Sequence, residues 1–150
     1  MADVPVTVDR LLHTPGPQLD DLFRRSPSDR IPAGGGDGTV IFAPNSPVAA
    51  ITAGLVRLLA WKGKTFDPGS GTLRNRMGPL GTPAIPAKVY RATSWLDANP
   101  AIILDYSRSA LVARRIRDEI REAAPGVFLG IVYWNRHKVL RFVLEFTNAK

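Results

Sequence analysis

The chain contains no cysteine. A disulfide framework, a thiolate nucleophile and a cysteine-ligated metal are therefore excluded. The same absence suits a reducing compartment, so a cytoplasmic location is expected. Histidine is scarce: His13 and His137 are the two present, and neither has a carboxylate beside it in sequence. A zinc site needs three or four nitrogen, sulfur or oxygen ligands, so no metal site is expected. There is no Gly-x-Ser-x-Gly elbow for a hydrolase serine. No apolar run approaches the roughly 18 residues of a membrane-spanning helix. The first ten residues have neither the basic start nor the apolar core of a secretory signal. Gly34-Gly35-Gly36-Asp37-Gly38 lacks the Lys-Ser/Thr pair of a phosphate loop, and a strand rather than a helix follows it. It reads as a hinge, and no cofactor is expected.

What is present is 150 residues, enough for one domain with a proper core. The net charge of +7 is unevenly placed. Residues 1–50 carry four Arg against six Asp, and residues 51–150 carry sixteen Lys and Arg against seven Asp and Glu. The basic half could attract nucleic acid, an anionic membrane surface or an acidic small molecule. Residues 1–38 hold five of the thirteen prolines and one short helical candidate, Gln18–Arg25. They read as a flexible N-terminal arm, and residues 39–150 as a single curved-sheet domain.

Two stretches are apolar on both faces, Val127–Trp134 and Val139–Phe146. In the first, Val127, Leu129, Ile131 and Tyr133 share one face, while Phe128, Val132 and Trp134 share the other. A strand wet on one side alternates apolar with polar residues, so this sheet must be covered on both sides. Further strands are predicted at Thr39–Ala43, Lys62–Phe66, Thr72–Met77, Ala87–Thr93 and Ala101–Tyr106. Asp67-Pro68-Gly69-Ser70-Gly71 is a turn, Gly78–Pro86 a loop, and Asn135–Lys138 the turn of the last hairpin. Ser46 and Pro47 open a helix to about Ala60. Ser109 opens another through Ala123, with Val112, Ile116, Ile120 and Ala123 as its apolar stripe. On that helix Arg114–Asp118 and Arg115–Glu119 form i,i+4 pairs. The fold expected is α+β: a strongly curved antiparallel sheet or barrel of about seven strands with two to three helices, lipocalin-like.

Trp61-Lys62-Gly63-Lys64-Thr65-Phe66, Ile103-Leu104-Asp105-Tyr106, Val127-Phe128-Leu129-Gly130 and Phe142-Val143-Leu144 follow one another in an order that carries a resemblance. Over about residues 60–146 the chain resembles bacterial lipocalin-like domains of the GxWxG type. It departs from them in lacking the first motif's glycine and in its longer, Arg-rich segment Arg114–Glu122. The resemblance implies the architecture and no activity.

The cluster most suggestive of chemistry is Asp105-Tyr106-Ser107-Arg108. Asp105 ends a very apolar strand. Facing a pocket, it would be a general acid or base, with Tyr106 or Arg108 holding an oxyanion. Alternatively, Asp105 pairs with an arginine or accepts backbone bonds. Candidate ligand contacts are Trp61, Tyr90, Trp134, Phe142 and Leu144 as an apolar lining. Arg74 and Arg76, with Asn75 between them, interrupt a strand and could form a polar floor for an acidic head. The expected function is binding of a small hydrophobic or amphipathic molecule inside the barrel. A cofactor-free isomerase, cyclase or hydrolase is the alternative, and a basic nucleic-acid or membrane-surface module is the second alternative. The apolar sheet faces argue against an open nucleic-acid platform. The sequence leaves the oligomeric state open.

Overall fold

Eight antiparallel strands close into a barrel in sequence order. They are β1 Gly34–Ile41, β2 Trp61–Asp67, β3 Thr72–Met77, β4 Thr82–Thr93, β5 Pro100–Asp105, β6 Ile116–Ala124, β7 Val127–Trp134 and β8 His137–Glu145. Two short helices precede them, α1 Val8–Leu12 and α2 Gly16–Arg25. The computed structural model describes residues 6–41, 61–78, 80–109 and 113–146. The helix expected from Ser46 to Ala60 lies outside those residues. Among the described residues, no helix is long and apolar enough to cross a membrane.

Closure explains the strands that are apolar on both faces. Phe128 of β7 points into the barrel, with Phe142 and Leu144 of β8, Ile102 and Leu104 of β5 and Ile120 of β6. Leu129, Ile131 and Tyr133 point outward with Ile103 and Val143. The residues that cover this outer face come from the N-terminal segment: Leu11, Leu19 and Phe23 are buried against it. Asp20 of α2 binds Arg141 of β8 at 2.8 and 3.0 Å and also pairs with Lys138. Burial works against the Asp20 charge, but those two cations hold its carboxyl below the ordinary range.

Residues 6–33 of the expected arm thus pack on the barrel, and the boundary expected after residue 38 falls inside β1. Residues 26–33 cross one end of the barrel. Ile31 packs on the inner core, and Arg91 donates to the carbonyls of Ser28, at 2.6 Å, and Asp29. Arg30 pairs with Glu122, whose backbone N–H donates to Pro27 at 2.9 Å. Two of the glycines expected to hinge, Gly36 and Gly38, are instead sites of close approach, as is Gly130 of β7. A side chain at Gly36 would overlap the Phe146 ring, one at Gly38 the Trp61 ring, and one at Gly130 the Phe142 ring. These residues let three inward rings swing across the barrel axis. Those rings belong to the interior in which a ligand was expected to bind.

The second correction concerns 116–124, expected to continue the helix begun at Ser109. A short 3-10 turn, Ala113–Arg115, is followed by the strand β6, paired with β5 and β7. Its side chains alternate: Ile116 and Ile120 pack on the inner core with Asp118 between them, while Arg117, Glu119 and Arg121 face outward. Helical spacing of the apolar residues was a real local signal. It lost to a two-sided ladder whose charged residues find partners far away in sequence. The i,i+4 pairs therefore do not form. Asp118 pairs with Lys64 and Glu119 with Arg117.

Candidate functional site

Polar side chains gather inside the barrel at the end opposite the 26–33 crossing. Lys64 and Asp118 are the charged pair, 3.2 Å apart and 5% and 4% exposed. Lys64 Nζ also donates to Asn75 Oδ1 at 2.7 Å and Tyr106 Oη at 2.6 Å. All three ammonium donors are thereby used. Asn75 Nδ2 donates to Tyr106 Oη and to the Ile85 carbonyl, each at 2.8 Å. Trp61 Nε1 donates to Asn75 Oδ1 at 3.1 Å. The rings of Trp61, Tyr106 and Phe142 stand 5.3–5.4 Å from Lys64 Nζ, within cation–π range.

Two irregularities in the ladder create this arrangement. The register of β2 on β3 shifts between Trp61 and Gly63, so Trp61 turns inward beside Lys64 while Lys62 stays exposed. Gly63 has φ +144°, and a Cβ there would lie 2.0 Å from the Gly36 carbonyl. Only glycine fits this bulge. Between β3 and β4 the register shifts at Arg74/Asn75, leaving Ile85 as the extra residue. Ile85 has φ +44°, an uncommon conformation for a β-branched residue. Its carbonyl is the one that anchors Asn75.

The electrostatics are those of a pair held in an apolar barrel. Burial opposes the Lys64 charge, but the Tyr106 oxygen and Asp118 outweigh it and raise its pKa. Burial raises the Asp118 carboxyl, and Lys64 offsets this in part. Burial likewise raises Tyr106, so the phenol keeps its proton. Two atoms are left over. Among the described residues, Asp118 Oδ1 is buried without a hydrogen-bond partner. Tyr106 Oη receives two bonds, and its own proton has no acceptor there. A buried polar atom without a partner is costly and needs an explanation.

Of the residues singled out from sequence, Trp61, Tyr106 and Phe142 meet at this cluster, and Leu144 lies deeper in the same interior. Asp105 does not. It leaves β5 on the outer side, accepting from Tyr90 Oη at 2.7 Å and the Ser107 N–H at 2.8 Å. Burial works against its charge, but the Ser107 and Tyr90 bonds hold its carboxyl below the usual range. The alternative reading of Asp105, accepting a backbone bond, is the arrangement found. Arg108 is exposed outside the barrel, as is Arg74, and Arg76 binds the Gly36 carbonyl and Asp37. They form no inner floor; Asn75 between them is the inward residue. Tyr90 lies outside with Asp105, and Trp134 is 36% exposed at the rim.

Sequence reasoning missed Lys64, Asn75 and Asp118 as site residues. A signal existed. Each sits two residues from an inward apolar residue: Lys64 from Phe66, Asn75 from Leu73, Asp118 from Ile116 and Ile120. A lone polar residue on the apolar face of a strand is what marks a buried polar group. No group of three or more His, Asp or Glu close enough to hold a metal occurs among the described residues.

The fold recurs in a crystal structure of a protein from Thermomonospora curvata. The two chains are 16% identical, with a TM-score of 0.57 over 88% of this chain and 87% of that one. This likeness extends to the fold alone. No family model and no curated protein matches the chain.

Proposed function

We propose that the barrel binds a small amphipathic molecule through the end where Lys64, Asn75, Tyr106 and Asp118 gather. The observation that carries the reading is the buried Oδ1 of Asp118, which has no partner among the described residues, in a cluster where the Tyr106 hydroxyl only accepts among those residues. A head group that both gives and takes a hydrogen bond, such as a hydroxyl or a protonated carboxyl, satisfies both atoms. The apolar part then lies against Trp61 and Phe142. Trp61 is half-buried at the rim, so it is the ring that must turn aside. The opposite end is closed by Ile31 and by the edge-to-face rings of Phe66, Phe128 and Phe146, which leaves one direction of entry.

Native mass spectrometry of the purified protein tests this reading. A bound small molecule released on denaturation is expected, as is saturable binding of dodecan-1-ol that quenches tryptophan fluorescence. Absence of any adduct, together with no saturation by dodecan-1-ol or dodecanoic acid, contradicts it. One observation favours a second reading, cofactor-free acid–base catalysis: Tyr106 Oη lies 2.6 Å from Lys64 Nζ, which places a proton donor against a cation. Recovery of a chemically altered ligand after incubation would select that reading over simple binding.

A further inference from the structure

On the outside of the barrel, away from the cluster just described, a depression of about 550 Å³ is lined by Trp95, Ser107, Arg114, Arg115, Asn135 and Arg136. Among the described residues, no acidic side chain lines it. Arg114, Arg115 and Arg136 are exposed, and none pairs with a carboxylate among the described residues. The nearby carboxylates are already engaged: Glu119 accepts from Arg117, which also donates to the Thr93 carbonyl, and both oxygens of Asp105 accept from Tyr90 and Ser107. Three guanidinium groups thus border one concave surface with no carboxylate paired to them among the described residues.

The wall of this depression is built rigidly. Glu119, fully buried, accepts from Ser94 Oγ at 2.6 Å and from the Trp95 N–H at 2.8 Å. That fixes the 94–99 connection, and the Trp95 indole packs edge-on against Tyr133 with centroids 5.2 Å apart. Arg117 and Arg136 lie over the indole at 4.2 and 4.8 Å. Asn135 and Arg136 make the two-residue turn between β7 and β8, with φ +49° and +72°. Such a turn prefers Asn-Gly, because both central residues need positive φ. This chain places arginine at the glycine position and thereby sets a guanidinium over Trp95 at the edge of the depression.

We infer that this depression binds a small molecule carrying a phosphate or diphosphate group. Guanidinium groups match phosphate oxygens with paired hydrogen bonds, and Ser107 and Asn135 add neutral donors at the same surface. A compact ligand fits better than a nucleic-acid strand, since guanidinium groups already lie over the Trp95 ring and it offers no open stacking platform. The inference does not rest on the interior site.

Titration with sodium pyrophosphate, followed by NMR at the Trp95 indole and arginine Nε–H signals at physiological ionic strength, tests it. Saturable shifts confined to this surface are expected. Arg136→Gly suits the turn's backbone, so it should fold at least as well while weakening pyrophosphate binding about tenfold or more. Arg114→Gln should weaken it as well. Failure to saturate by about 10 mM pyrophosphate, or equal affinity in Arg136→Gly, overturns the inference. Binding to oligonucleotides that is tighter than to pyrophosphate and grows with strand length also overturns it, and assigns the surface to nucleic acid.

Discussion

Asp118 and Glu119 are neighbours on β6, both buried, and they face opposite sides of the same sheet. On the outer side the buried charges of β6 are matched. Glu119 takes bonds from Ser94, the Trp95 N–H and Arg117. Two residues on, Arg121 is 1% exposed. It meets both oxygens of Asp97 at 2.8 Å and donates to the carbonyls of Phe23, Pro100 and Asn99. These bonds tie α2 and the 94–99 connection to the barrel. On the inner side the Lys64–Asp118 pair is surrounded by rings, and one carboxylate oxygen has no partner among the described residues. A fully matched ionic group holds pieces of chain together. An incompletely matched one costs stability and needs another reason to be there.

The sharpest way to break this contrast is Arg121→Met. It strips Asp97 of its cation and leaves three carbonyls without their donor. We expect a loss of about 3–5 kcal/mol in urea unfolding, with local opening over α2 visible by hydrogen exchange. A loss below about 1 kcal/mol would show the outer group to be ornamental.

Tyr106→Phe should have a smaller effect. It removes the oxygen that accepts from Lys64 and Asn75, so about 1–3 kcal/mol of stability should go. The proposed head-group acceptor bond should go with it, so binding of dodecan-1-ol should weaken. Unchanged binding would mean the phenol does not face the ligand.

Acid separates the two sides more gently. Hydrogen bonds from Arg121 lower the Asp97 carboxyl from 3.8 to about 2. A carboxyl depressed in the folded state contributes stability above its unfolded pKa, and this is lost as pH falls through the folded one. The outer contribution should therefore fade between about pH 4 and pH 2. Asp118 has the opposite sign: its carboxyl is raised by burial, so in the folded state it accepts a proton more readily than in the unfolded chain. Melting temperatures of Asp97→Asn and the parent protein across that window should converge toward pH 2. Curves that stay parallel would contradict the assignment.

Much of this barrel is legible in the sequence, and the reasons differ by strand. Thr72–Met77 and Val127–Trp134 have the bounds expected, because turn residues flank them and their own alternation sets the register. β4 begins earlier than expected, at Thr82, since Pro83 and Pro86 conceal a strand that a bulge accommodates. β6 is invisible locally, because Arg121 and Glu119 are stabilised in a strand by Asp97 and Ser94, more than twenty residues away. The candidate site was half visible. Tyr106, Trp61 and Phe142 stood out as aromatic residues, whereas Lys64 and Asp118 looked like solvated charges until the barrel closed over them.

The most direct test of the contrast is the urea midpoint of the double variant Lys64→Met/Asp118→Val. It removes both buried charges together and leaves Asn75 bonded to Trp61, Ile85 and Tyr106. If the inner pair is present for a ligand rather than for the fold, the variant should be as stable as the parent or more stable by about 1–4 kcal/mol. A loss of about 3 kcal/mol or more would make the inner pair a structural element like the outer one and contradict the account.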